Sequence, residues 1–376
     1  MRATTPLDRS QRLISLDVFR GLAIAAMILV NNPGRWDFVY PPLRHAEWHG
    51  FTPTDLVFPA FLFIVGVAMA FAFAKYRRTR SIPPAVYGRI LRRSAILFGL
   101  GLLLNGFYTY DWETIRILGV LQRISLTYLL ASLVVLNLKP LQQMVLAGIV
   151  LVGYHAAMML VPVPGFGAGD LSLEGNLVGY VDRMVLGSEH LLRGGPFDPE
   201  GLLSTLPATV TVLLGYFTGE QLRRQPTDVQ TTLGLVVAGI AGLGIGSLWG
   251  ATFPINKSLW TSSYVMYSAG WCGLLLAFCY HSIEVLGWRR WSFPLRVMGV
   301  NAITVFVGSG LLARILLYTS VSRGDSAIST QRWLYENVFQ ALWGSIDGSL
   351  AYAVANVLTW WTIAYLLYRL GWFVKI

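Results

Sequence analysis

Apolar residues in this chain fall in long runs, not in the alternation of a half-buried strand. Between Ile14 and Val30 only Asp17 and Arg20 carry charge. With this first run at about 15–33, similar windows follow at about 54–74, 89–107, 117–137, 141–160, 202–221, 231–251, 259–281, 296–319 and 349–369. A run of about twenty residues, rising about 1.5 Å per residue, crosses a hydrocarbon core of roughly 30 Å as a helix. The pattern predicts an all-α, polytopic membrane bundle of about ten transmembrane helices. No linker, repeat or low-complexity tract divides it, so residues 1–376 read as a single transmembrane domain.

Two of the stretches between runs are long, and both are expected on the outward side. Residues 161–200 are punctuated by Pro and Gly and do not read as a span; within them, 177–186 has the pattern of a short amphipathic helix lying on the surface. Residues 320–348 contain RWLYENVFQALWGS, which reads as another interfacial helix with Trp333 and Trp343 near the headgroups. Long loops on a rigid scaffold commonly shape a binding site, and the first is expected to cover or shape an external one.

Composition agrees, and charge adds direction. The chain is 55% hydrophobic and 13% charged, against about a quarter charged in soluble domains. Its 13 tryptophans suit interfacial belts. The net charge of +10 does not argue for nucleic acid. Most basic residues lie in 1–12, 75–93, 221–226, 287–296 and 368–376, all on one face, and the positive-inside rule makes that face cytoplasmic. Both termini are therefore expected in the cytoplasm. Arg2, Arg9 and Arg12 precede an apolar run with no small-x-small site, so that run is expected to stay as a membrane helix. The cluster Lys75, Arg77, Arg78, Arg80, Arg89, Arg92 and Arg93 fits topology and lipid contact, and also an electrostatic landing site for a phosphorylated cosubstrate. Cys272 and Cys279, two helical turns apart in one run, read as core packing.

Ionisable groups inside such runs cost roughly 2.5–3.5 kcal/mol on insertion scales, so each is a functional candidate. They concentrate between Arg12 and Ala60. Asp17 and Arg20 are one helical turn apart and either neutralise each other or leave Arg20 to grip a phosphate or pantetheine group. Asn31 and Asn32 end the first helix ahead of Pro33. His45 and His49 stand in the outward loop that follows, four apart. No third ligand and no HExxH accompanies them, so no metal site is expected. Asp55, in TPTDLVFP, is placed to cap the next helix and to orient an imidazole by accepting its N–H. Arg116, Gln122 and Arg123 mark the outer end of the fourth run. Asp198 and Glu200 precede the sixth, as caps or as anions for a cationic amine, and Asn256 and Lys257 share that outward edge. Asn301 sits within the ninth run. Walker A, GxSxG, CxxC and GxGxxG motifs do not occur, so pumping by an internal ATPase is unsupported.

The strings LDVFRG, VNNPG, RHAEWHGFTPTDLVFPAFLFIVG, RILGVLQRISLTY, PFDPEGLLSTLPATV and PINKSLWTSSYV follow one another in this order. Together they resemble the heparan-α-glucosaminide N-acetyltransferase family, transmembrane acyltransferases that include a lysosomal enzyme and bacterial relatives. The likeness runs from about residue 12 to 310 and is most specific around His45; the last 60 residues match in hydropathy. The resemblance implies acetyl transfer from cytoplasmic acetyl-CoA, across the membrane, to the non-reducing-end amine of a glucosamine residue or other amino sugar. It carries the catalytic histidine to His45, with Asn31 of the V-N motif and Asp55 in support, and gives His49 no catalytic role. Arg20, Asn32, Gln122 and Arg123 become candidates for holding acetyl-CoA. Trp48, Asp198, Glu200, Asn256 and Lys257 become candidates for meeting the glycan acceptor. A homodimer is implied as well. Without the longer lumenal region and extra span of the lysosomal relative, the chain is expected to be a short bacterial form of the inner membrane.

The chemistry is consistent with that resemblance. Amide formation needs a group that takes the amine's proton, and histidine, with an unperturbed pKa near about 6.5, suits the task. Asn31 or Arg123 is then available to stabilise the oxyanion, and a ping-pong route through an acetyl-imidazole stays open. The rival reading is a secondary transporter of a sugar or related polar solute, which ten spans suit equally. Against it stand the gathering of polar residues at the outer edge and the lack of paired Gly/Pro breaks in both halves.

Overall fold

The structure, a computed structural model, describes residues 13–76, 82–323 and 326–374. Arg2, Arg9, Arg12, Arg77, Arg78 and Arg80 of the expected basic face therefore lie outside the described residues. Each apolar run is helical: α1 Ile14–Asn31, α2 Val57–Ala72, α3 Pro84–Gly106, α4 Val120–Asn137 and α5 Pro140–Leu160. After α6 Leu177–Leu186, a short helix inside the long stretch, come α7 Thr205–Arg224, α8 Val229–Gly250, α9 Ser262–Tyr280, α10 Phe293–Val300 and α11 Ala302–Tyr318. The last long helix, α14, is Ser345–Arg369.

Seven helices are long and apolar enough to cross a membrane, and counting the bent pair α10–α11 as one span makes eight at most among the described residues. The expected count of about ten is therefore not reached. The two runs that fall short are diluted by polar groups. α3 carries Arg89, Arg92 and Arg93; α7 carries Thr205, Thr209, Thr211 and Thr218, then Glu220, Arg223 and Arg224. The ninth run is broken through 80° at Asn301. Its amide ties the break to the C-terminal tail: Nδ2 donates to the Trp372 carbonyl at 3.1 Å, and Oδ1 accepts from the Val374 N–H at 3.3 Å.

The all-α expectation needs one correction. Residues 320–348, read from sequence as carrying a helix alone, begin with a two-stranded antiparallel hairpin, β1 Ser320–Arg323 and β2 Ser326–Ser329, with Val321 opposite Ile328. The helical segment follows as α12 Thr330–Leu334, a π-helical stretch Tyr335–Gln340 and α13 Ala341–Trp343.

Burial separates a centre from a rim. α1, α2, α7 and α9 contribute most of the buried core, including Phe19, Leu62, Val212, Tyr216, Tyr264 and the free thiols Cys272 and Cys279. α5, α8 and α14 keep most of their surface exposed, with Leu141, Ile149, Val237, Ile240, Leu248 and Leu358 turned outward as lipid-facing residues are. Lipid supplies no hydrophobic push between helices, so close backbone approach must hold the centre together. At the α2–α7 contact, a Cβ on Gly66 would lie 1.9 Å from the Val212 carbonyl oxygen, and one on Gly215 would lie 2.1 Å from that of Phe63. Hydrogen alone fits at both positions.

Gly66→Leu is therefore expected to push α2 off α7 and to destabilise by at least the roughly 1–3 kcal/mol of an overpacked core. Because the collision is with a main-chain oxygen, Val212→Ala should not rescue it. Thermal melting of the two variants and their combination in detergent checks both statements.

Candidate active site

The polar loop between α1 and α2 is short of regular structure because its prolines forbid a helix. Pro41 and Pro53 each start a single 3₁₀ turn, Pro41–Leu43 and Pro53–Leu56. Thr52 caps the second turn in a capping box with Asp55, whose side chain folds back to accept the Thr52 N–H at 3.0 Å. The same oxygen, Oδ2, accepts the Ala46 N–H at 3.1 Å, while Oδ1 lies 2.6 Å from His45 Nδ1. A carboxylate can only accept, so the proton of this contact sits on Nδ1, and in the neutral ring Nε2 then keeps its lone pair. Asp55 is buried, with 2% of its side chain exposed, whereas the imidazole it holds is 41% exposed. The Tyr264 hydroxyl, from the first turn of α9, donates to the Asp55 carbonyl at 2.7 Å and fixes the turn from beneath.

A third group arrives from far along the chain. Lys257 lies on the α8–α9 loop, with Nζ 3.1 Å from His45 Nδ1, 3.3 Å from Nε2 and 3.8 Å from Asp55 Oδ1. Burial pushes its ammonium below the ordinary lysine range, while the carboxylates of Asp55 and Glu200 pull it back up. The loop is rigid for identifiable reasons. Asn256 is fully buried and its Oδ1 accepts the Leu259 N–H at 2.8 Å; the Gly50 N–H donates to the Ile255 carbonyl at 2.8 Å, stitching the two loops together. Asn256 Nδ2 also meets His49 Nδ1 at 3.3 Å. His49 is thus engaged by an amide, and its burial lowers its proton affinity.

Below this centre lies an aromatic floor. Trp260 has φ 52, a left-handed backbone that a bulky residue rarely adopts and that costs on the order of 1–3 kcal/mol. It is held there by edge contacts with Phe58 and Tyr264, both at 5.2 Å between ring centroids, and by its indole N–H on Thr211 Oγ1 at 3.2 Å. The fully buried guanidinium of Arg123 lies 5.0 Å over the same ring and donates to the Gly201 carbonyl at 3.0 Å and to the Ser204 hydroxyl. Sequence reasoning singled out Arg123 but missed Trp260, Tyr264 and Ser204, whose partners are distant in the chain.

The remaining candidates are distributed differently from a single pocket. Asp198 and Glu200 are bound by Arg116, which pairs with Asp198 through Nε at 2.8 Å and Nη2 at 2.6 Å and also reaches Glu200. Trp48 donates its indole N–H to the Leu171 carbonyl at 2.8 Å and meets Phe197 edge-on at 5.2 Å, pinning the long stretch over the His45 loop. Asn32 turns back to the Ile28 carbonyl at 2.9 Å. Asn31 is exposed at the end of α1, and among the described residues no hydrogen bond joins it to His45. Gln122 is buried between α3 and α4, against Gly101.

A cavity of about 620 Å³ occupies the other half of the bundle. It is lined by apolar side chains of α1, α2, α4 and α11, with Asp17, Arg20 and Arg93 as its charged groups. Asp17 and Arg20 pair at 3.0 Å, and the Arg93 guanidinium lies 4.8 Å over Tyr128. Of the four donor-binding candidates, Arg20 lines this space; Asn32, Gln122 and Arg123 do not. On α2 its last lining residue toward the site is Phe61, six residues from Asp55 and so about 9 Å along the helix.

Fold and site together define an integral membrane protein of the helical-bundle class, with a His–Asp–Lys centre at one rim. Residues 12–249 match the family described as heparan-alpha-glucosaminide N-acetyltransferase, catalytic. Two curated relatives bear the name heparan-alpha-glucosaminide N-acetyltransferase. The Homo sapiens protein is 29% identical over 431 aligned positions, covering 97% of this chain and 60% of its own length. The Mus musculus protein is 28% identical over 435, covering 99% and 62%. This chain belongs to that family, and it spans about three fifths of the length of these relatives.

Two outcomes test the geometry. In Asp55→Asn the amide nitrogen must face either His45 or the two backbone N–H donors; the imidazole proton is expected to move to Nε2, seen as exchanged ¹⁵N shifts of the two ring nitrogens, with a loss of roughly 1–3 kcal/mol in stability. The second concerns Asp182 of α6, fully buried, accepting the Leu202 N–H at 2.8 Å. Burial pushes its carboxyl up to about 6. A raised carboxyl favours the folded state below the ordinary carboxylate range, and the advantage is lost as pH rises through about 6, by about 3 kcal/mol at most. Limited proteolysis of 161–200 should accelerate from pH 5 to 7.5, and Asp182→Asn should remove the difference.

Proposed function

We propose that this chain is a membrane-embedded acyltransferase that moves an acetyl group from acetyl-CoA to the amine of a glucosamine or related amino sugar. The observation that carries the reading is His45 itself: an imidazole oriented by a buried carboxylate, open to solvent, at the rim of a helical bundle whose opposite half is hollow. The relatives are named for N-acetyl transfer to a heparan α-glucosaminide, and acetyl transfer to an amine asks for the group found here.

In this mechanism Asp55 fixes the tautomer, so that Nε2 accepts the proton of the attacking amine. The C–N bond forms as the carbonyl π electrons move to oxygen; the C–S bond then breaks, and the proton passes from His45 to the departing thiolate. Positioned general-base catalysis of this kind contributes about 10²–10⁴-fold. The cavity suits the acyl and pantetheine portion of the donor, being apolar along its length, with Arg20 and Arg93 as cations among its lining residues. The roughly 9 Å between Phe61 and Asp55 is the distance the acetyl end must still cover. The basic face then lies in the cytoplasm with both termini, and His45 faces the periplasm of a bacterial inner membrane. The acceptor is a terminal amino sugar on a glycan or free in solution, and the protein works as a homodimer surrounded by lipid.

Incubating the reconstituted chain with isotopically labelled acetyl-CoA and glucosamine should yield N-acetylglucosamine by mass spectrometry. His45→Ala should lower the rate by at least about 100-fold. Undiminished transfer by that variant would remove His45 from the reaction, and labelled glucose in place of labelled amino sugar would redirect the reading to hydroxyl acceptors.

A further inference from the structure

The reaction proposed above builds negative charge on the acyl oxygen, and that charge needs a donor near His45 Nε2. Neither residue suggested for it by sequence is hydrogen-bonded to His45 among the described residues. Arg123 is fully buried in the floor over the face of Trp260; its Nη2 is bonded to Gly201 and Ser204, its Nε and Nη1 are not bonded, and no hydrogen bond joins it to His45 among the described residues. Asn31 stands exposed at the end of α1 without a hydrogen bond to the His45 loop among the described residues. Lys257 is different. Its Nζ is 3.1 Å from Nδ1 and 3.3 Å from Nε2, so the ammonium already lies against the imidazole that must meet the amine.

Every charged or titratable group near this ammonium is identifiable. Asp55 lies 3.8 Å away, too far to lock it; His45 touches it; Glu200 acts on it from a greater distance while paired with Arg116. The neighbouring histidine, His49, is held by Asn256, the residue before Lys257. Lysine is a point charge on a flexible four-carbon stem, and its side chain keeps 22% exposure, so it can swing without disturbing the loop. The loop itself is fixed by buried Asn256 and strained Trp260, on either side of Lys257. A donor carried on a rigid loop beside the base needs little reorganisation to meet a charge that appears transiently.

We propose that Lys257 is a catalytic residue of this centre: at rest its ammonium lies against the His45 imidazole beside both ring nitrogens, and when the thioester arrives it turns to the acyl oxygen, uncovering the base and stabilising the oxyanion. The inference rests on the acetyltransferase reading. Amine attack forms the C–N bond and places the carbonyl electron pair on oxygen, where Lys257 donates a hydrogen bond. His45 accepts the amine proton. On collapse the carbonyl re-forms, the C–S bond breaks, and His45 returns the proton to sulfur. Lys257 ends as it began, an ammonium.

The test uses the full chain in proteoliposomes, with acetyl-CoA and glucosamine as substrates. Lys257→Met is expected to lower kcat by about 10²–10³-fold with both KM values within about threefold, the loss typical of an oxyanion donor. Lys257→Arg should retain activity within about tenfold. Wild-type rate should fall on the alkaline side, below the ordinary lysine range, as the ammonium loses its proton, and Lys257→Arg should abolish that limb. A second readout needs no turnover: His45 should react faster with diethyl pyrocarbonate in Lys257→Met, where no ammonium lies against the ring. A KM increase for glucosamine with unchanged kcat overturns the proposal in favour of acceptor binding, and so does wild-type activity in Lys257→Met. If that variant does not fold, an unaltered alkaline limb in Lys257→Arg overturns it. A wild-type chain that transfers no acetyl group overturns the functional reading as well, whereas wild-type transfer with an insensitive Lys257 overturns this inference alone.

Discussion

A carboxylate with almost no contact with solvent is costly beside a membrane unless its lone pairs are all used. Asp55 meets that condition by drawing together the Ala46 and Thr52 amides, the imidazole of His45 and, at longer range, the Lys257 ammonium. Each of those groups comes from a stretch with no regular structure of its own. The loop between α1 and α2 therefore has a defined shape because one buried charge dictates it. The same side chain completes the capping box of the 3₁₀ turn Pro53–Leu56, which runs directly into α2 at Val57.

That charge is in turn supported from below. Tyr264 braces the Asp55 carbonyl, Trp260 packs against Tyr264 and Phe58, and Arg123 spreads over Trp260 while tying down the segment before α7. None of these floor residues lines the cavity that holds Arg20 and Arg93, and about 9 Å of chain separates its lining residue Phe61 from Asp55. A cavity that stops short of the rim suits poorly a solute that must pass whole. The break in α10–α11 does not change this balance, since Asn301 ties it to the tail and no matching break occurs in the other half among the described residues.

Much of this was legible in sequence. The helices follow the apolar runs because twenty residues of hydrocarbon admit few alternatives, and 177–186 is helical where its amphipathic spacing placed it. His45 and Asp55 were visible because they are ten residues apart in a motif-rich stretch. What escaped were contacts across long separations. Nothing local in FPINKSLW announces that Lys257 meets an imidazole 212 residues earlier. Asp198 and Glu200 read as helix caps or amine ligands because their partner, Arg116, lies beyond the horizon of any local pattern. The hairpin at 320–329 was hidden in an amphipathic stretch whose following helix gave the stronger signal. Fewer than ten helices among the described residues meet the length and apolarity a span asks for, because runs such as α3 and α7 hold more charge and hydroxyl than length alone reveals.

Trp48 has a mechanical consequence. Three residues beyond His45, its indole is latched to the long stretch at Leu171 and braced by Phe197 near that stretch's far end. The long stretch and the histidine loop are thereby one piece: any displacement of the stretch at Leu171 must either break the Trp48 latch or pull on the backbone that carries the imidazole.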